Sequence, residues 1–99
     1  MFLGLEKVLG GNKKNKWTEF YKILEENNCI IKDYLIYTEN QDINEAMKNI
    51  NEMSLREIYI WLTWILRGER FCSGLFEEKI KDGTLAKLID RGKSLTMPV

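Results

Sequence analysis

Apolar positions along this chain recur mostly at helical spacing. Trp17, Phe20, Tyr21, Ile23 and Leu24 line one side of a segment whose other side carries Glu19, Lys22, Glu25 and Glu26. That spacing predicts a helix over Trp17–Asn27, ended by Asn27-Asn28. Asp42 then stands where it can cap a short helix, Ile43–Glu52, with Ile43, Ala46, Met47 and Ile50 as its apolar side. Ser54-Leu55-Arg56-Glu57 reads as a capping box, in which the Ser54 hydroxyl accepts from the Glu57 amide and the Glu57 carboxylate accepts from the Ser54 amide. It opens the strongest helix, Leu55–Leu66 or slightly beyond. Leu55, Ile58, Leu62, Ile65 and Leu66 form one stripe there, and Tyr59, Ile60, Trp61 and Trp64 make most of the remaining circumference apolar. A helix apolar nearly all round is central or lies at an interface. Leu75–Lys81 follows with Leu75, Phe76 and Ile80 inward and Gly83 as its left-handed cap. Thr84 is placed to cap a last helix, Leu85–Arg91, with Gly92 beyond it and residues 93–99 as a tail.

Two stretches are less regular. Residues 2–9 are apolar enough to dock on a core, and Gly10-Gly11-Asn12 stops any helix, since each glycine costs about 1 kcal/mol in a helix interior. Residues 1–16 therefore read as an N-terminal arm and a basic loop, Lys13–Lys16. Residues 29–38 are ambiguous. Ile31, Tyr34, Leu35 and Thr38 fit a helical face, while the Ile and Tyr content suits a strand. Helix is favoured because no second convincing strand exists to pair with it. The expected fold is mainly α: one domain over residues 1–99, a compact bundle of five to six short helices around Leu55–Leu66.

Composition narrows the function classes. A chain of 99 residues buries about two-thirds of its unfolded surface, enough for one modest core. Its 15 basic and 15 acidic residues cancel, which argues against a dedicated duplex-DNA binder and leaves little repulsion between copies. The basic run at Lys13–Lys16 reads as a surface loop more readily than a nucleic-acid contact. Ile58–Leu66 is too short an apolar stretch to span a bilayer, and the first residues lack the pattern of a secretory leader. A cytoplasmic protein is expected, with Cys29 and Cys72 as free thiols. Richness in Lys, Asn and Ile fits an AT-rich bacterial or phage genome.

Chemistry is sparse. With no histidine, a Cys–His relay is excluded and a zinc site is unsupported, so no metal, cofactor or catalytic residue is assigned. Cys72 lies among Arg67, Glu69 and Arg70, but cysteine is usually a packed small hydrophobe, and a buried, inert Cys72 is expected. The segment Arg67–Gly74 stands out. Arg67 ends a very apolar helix, Arg70 follows three residues later, and two nearby guanidiniums make a seat for phosphate or carboxylate. The amides before Leu75 form a helix start that favours an anion. Trp64 and Phe71 can supply a stacking wall. The competing reading is a clasp, in which Glu69 pairs with Arg67 or Arg70 and Phe71 joins the core.

The stretch Leu62–Leu75, then Asp82-Gly83-Thr84-Leu85 and Leu88–Arg91, resembles an uncharacterised family of small bacterial proteins with an Arg-Gly-Glu-Arg-Phe-Cys-x-Gly turn. The resemblance lies mainly in residues 54–91. It implies that Arg67, Gly68, Glu69, Arg70 and Gly74 form a recurrent motif, and it implies no activity. Two functions follow as expectations. One is a non-catalytic binding protein for a phosphate-bearing small molecule, such as a nucleotide, at Arg67, Glu69, Arg70, Trp64 and Phe71. The other is a protein-interaction or inhibitor module, of the kind a phage directs at its host's defences, or a homodimer through Tyr59, Trp61 and Trp64.

Overall fold

The computed structural model describes residues 1–11 and 14–96. The order is α1 Phe2–Gly10, α2 Lys16–Glu26, α3 Tyr34–Thr38, α4 Ile43–Met47, α5 Leu55–Gly68, α6 Leu75–Lys81 and α7 Thr84–Thr96, with a 3-10 turn at Ile50–Glu52. No strand occurs among the described residues. The protein is an all-α bundle, with two more elements than the minimum its pattern predicts.

The capping box forms. Ser54 Oγ accepts from the Glu57 amide at 3.2 Å, and the Ser54 amide donates to Glu57 Oε1 at 3.2 Å. α5 is the hub, packed against α3, α6 and α7, while α1 packs on α2 and α7. Ile58, Leu62, Ile65 and Leu66 of α5 are fully buried with Phe20, Leu24, Leu85 and Leu88. Phe20 and Phe76 meet edge to face at 5.6 Å, joining α2 to α6. Two long-range hydrogen bonds fasten the shell. Trp17 Nε1 donates to the Leu66 carbonyl at 2.8 Å, and Arg91 Nε donates to the Met53 carbonyl at 3.1 Å.

The ambiguous segment is half irregular and half helical. α2 stops in a Schellman turn. Asn28 takes a left-handed φ of 57°, the Asn28 amide donates to Glu25 O, and the Cys29 amide donates to Leu24 O at 2.8 Å. The Ile31 amide then donates to Thr63 Oγ1 at 3.2 Å, and that hydroxyl donates to Tyr59 O at 2.8 Å. A side chain of α5 thus takes the hydrogen bond that a helix or a partner strand would have taken, and helix begins only at Tyr34.

Several expected boundaries are corrected. Residues 2–10, expected as an arm docked on the core, form a helix there, with Phe2 and Leu5 buried. Lys16 begins α2, its Nζ donating to Leu9 O at 3.1 Å, whereas Lys13 of the expected basic loop and Asn12 before it lie outside the described residues. Gly92 does not end the last helix. α7 continues to Thr96, so most of the expected tail is helix, and residues 97–99 lie outside the described residues. The cause is a close approach: the Phe2 ring sits where a Cβ on Gly92 would be, within 2.3 Å. Burial of that ring offsets the helical cost of glycine. Nor is Thr84 the cap of α7. It is the first helical residue, and Asp82 Oδ1 accepts from its amide at 2.9 Å. Burial pushes the Asp82 carboxyl up, but hydrogen bonds from Thr84 and from Lys79 outweigh this and hold it below the usual carboxylate range. Gly83, at φ 85°, closes α6 as expected.

Gly92→Ala forces the Phe2 ring and α1 outward. We expect a loss of about 1–3 kcal/mol in urea unfolding. Gly10→Ala, where a Cβ meets nothing within 4 Å among the described residues, is expected to be neutral or slightly stabilising. Equal effects at the two positions would contradict the Phe2–Gly92 seam.

Candidate functional site: the α5–α6 corner

The corner is built from the end of α5 outward. The Cys72 amide donates to Gly68 O at 2.8 Å and the Phe71 amide to the same carbonyl at 3.0 Å, which folds residues 68–72 into a tight turn. The turn brings α6 very close. A Cβ on Gly68 would lie 2.6 Å from Leu75 Cδ2, so glycine is what lets the two helices meet here.

Glu69 secures the junction. Its Oε2 accepts from the Gly74 amide and its Oε1 from the Phe76 amide, both at 2.8 Å. A carboxylate bound to the opening amides of a helix satisfies donors that have no intrahelical partner and complements the helix dipole. The helix start does hold an anion, and the anion is the chain's own. This corrects the expected pairing of Glu69 with Arg67 or Arg70, because the backbone takes both carboxylate oxygens.

Arg67 points elsewhere. It is half-buried in the last turn of α5. Its Nη2 lies 3.5 Å from the Tyr21 hydroxyl, a long hydrogen bond, and its Cζ lies 5.9 Å from the centre of the Tyr34 ring. Tyr21 is held by a stack on Trp17, 5.2 Å between ring centres, and Trp17 is itself bonded to α5 at Leu66. α2, α3 and α5 therefore converge on this guanidinium. Three ion pairs form among the described residues, Lys48–Glu45, Lys79–Asp82 and Lys93–Glu6, and Arg67 is in none of them. Its Nε is buried and has no hydrogen-bond acceptor among the described residues.

The other expected site residues do not join it. Arg70 is exposed in the turn and does not share a partner with Arg67. Phe71 is neither core nor a wall beside Arg67: it is 87% exposed. Trp64 is half-buried and packs edge-on against buried Trp61 at 5.7 Å. The aromatic face of α5 is largely used within the chain, since Tyr59 also stacks on Phe2 at 6.1 Å. Cys72 is exposed, against expectation, because the tight turn swings residues 70–73 away from the core. The missed residues are Tyr21 and Tyr34. The Trp17/Tyr21 spacing hinted at an aromatic pair on α2, but nothing in the sequence tied either tyrosine to Arg67.

A family model matches residues 9–97, that of a family of unknown function (DUF6508), so the match extends well beyond residues 54–91. No curated protein and no solved structure matches the chain. Among the described residues, no helix is long and apolar enough to cross a membrane.

Two predictions test the corner. Glu69→Ala strands the Gly74 and Phe76 amides and is expected to cost about 1–2 kcal/mol in urea unfolding, with a smaller loss for Glu69→Gln. An unchanged midpoint for both variants would mean the carboxylate contributes nothing. The thiols should also differ. Burial, partly offset by a hydrogen bond with Tyr59, raises the pKa of the Cys29 thiol and suppresses its thiolate. One thiol per native chain should react quickly with a chromogenic disulfide, and Cys72→Ser should remove that phase.

Proposed function

We propose, for a chain that belongs to the DUF6508 family of unknown function, that it is a binding protein for a small anion-bearing molecule, with Arg67 as the anion seat. The observation that carries this reading is Arg67 itself: a half-buried guanidinium outside every ion pair among the described residues, its Nε without an acceptor. Charge drawn out of water without a counter-ion is unfavourable, and a buried donor without an acceptor costs about 1–3 kcal/mol. A phosphate or carboxylate group at the guanidinium supplies the missing counter-ion and matches the planar fork of arginine. Tyr21 adds a hydroxyl, and the Tyr34 ring adds an apolar surface beside it. The seat thus involves Tyr21, Tyr34 and Arg67 rather than Arg67 with Arg70, Trp64 and Phe71.

The test is a thermal-shift series with inorganic phosphate, mononucleotides and di- and tricarboxylates, on the wild type and on Arg67→Met. Methionine keeps an apolar stem and removes the charge. A phosphate or carboxylate compound should raise the wild-type midpoint, Arg67→Met should lose that rise, and Arg70→Ala should keep it. The unliganded Arg67→Met protein should be as stable as the wild type or more so. The reading fails if no such compound stabilises the wild type, or if Arg67→Met is strongly destabilised without ligand, as a structural clasp would be.

A second reading, an interaction or inhibitor module, is favoured by one observation. Phe71 stands 87% exposed beside exposed Arg70, on a turn that Glu69 fastens at both Gly74 and Phe76. Aromatic and arginine side chains on a rigid mount are the types that dominate protein–protein contacts.

A further inference from the structure

α3 carries a stripe that the other described residues leave uncovered. Leu35 and Ile36 lie on α3 with Glu39, its αR C-cap, at i+4 and i+3 from them, and Lys32 stands in the turn that leads into the helix. All four are exposed, Leu35 at 58% and Ile36 at 71%, with Tyr37 beside them at 43%. The opposite side, Tyr34 and Thr38, is buried towards the core. Single exposed apolar residues need no explanation, but three in succession on a one-turn helix are a contact surface or an aggregation hazard. Arg56 lies over the Tyr37 ring at 5.2 Å and donates to its hydroxyl at 3.3 Å, which holds one flank of the surface in place.

We infer that this stripe is the contact between two copies of the chain, packed antiparallel across a two-fold axis. The stripe is complementary to itself. Its midpoint falls between Leu35 and Ile36, and its ends carry opposite charges, Lys32 and Glu39. A two-fold axis at that midpoint lays the apolar pair of one copy on that of the other and sets Lys32 against Glu39 at both ends. Parallel packing would set like charges together. A closed, isologous contact of this kind is the commonest form of homodimer. Zero net charge leaves no long-range repulsion to oppose it. A specific interface buries about 1,200–2,000 Å² in all, and three such side chains from each copy supply roughly half of the lower figure. The stems of Lys32, Glu39 and Arg56 add to this, giving a weak dimer that forms with rising concentration. It uses the outer face of α3, so it stands independently of the Arg67 seat.

Sedimentation of the full chain over a concentration series tests the inference. The wild type should pass from monomer to dimer, and Ile36→Asp should stay monomeric with an unchanged far-ultraviolet spectrum. Lys32→Glu alone and Glu39→Lys alone should each weaken self-association about tenfold. An equimolar mixture of those two variants should associate again, since each supplies the charge the other lacks, and so should the chain carrying both changes. Phe71→Ser should leave the dimer intact. A monomer at every concentration overturns the inference. So does a dimer indifferent to Ile36→Asp, or a mixture of the two charge variants that stays apart.

Discussion

A helix of fourteen residues with half of them buried has to be surrounded, and α5 imposes that requirement on everything else. Its apolar circumference leaves little room for a water-facing side, so α3, α6 and α7 are laid around it and α1 and α2 complete the shell. The shorter helices gain their stability from this packing rather than from their own lengths. Segments of five to seven residues are too short to be helical alone in water, and α3, α4 and α6 are of that size.

What was legible in the sequence follows from how local its cause is. The start of α5 was readable because both partners of the capping box lie within four residues. The bounds of α6 were readable because glycines flank it. α1 was not, since Met1 provides no side-chain cap and the helix depends on docking Phe2 and Leu5 onto distant partners. Gly92 was misleading for the same reason: the ring that makes glycine suitable inside α7 comes from the other end of the chain. In the corner, a clasp through Glu69 was one of two readings, and the partners it named were arginines rather than amides. Charge counting suggests an arginine, whereas a tight turn presents amides, and amides are invisible to composition. Tyr21 lies 46 positions from Arg67, beyond anything spacing can reveal.

Arg67 and Glu69, two residues apart, show how one turn can treat two charges differently. The carboxylate is matched by two amides at 2.8 Å, and the corner it closes is finished. The guanidinium is turned back between α2 and α3, where it meets a hydroxyl at the limit of bonding distance and the face of a ring. A fold settled at one of these groups and unsettled at its neighbour has concentrated its unmet electrostatic demand at a single atom group. That contrast separates the two readings of the corner that charge pattern alone leaves entangled.

The Phe2–Gly92 seam has a consequence for the order of events in folding. It joins segments whose ion pair, Lys93 to Glu6, spans 87 positions, close to the largest loop this chain can form. Closing so long a loop costs chain entropy before any contact returns it. The α5–α6–α7 segment, contiguous in sequence, can assemble first, and α1 docks onto a surface already made. The same seam is then the first cooperative unit to open. Amide hydrogens of α1 would exchange with solvent by partial opening, while those of α5 would wait for the whole molecule to unfold.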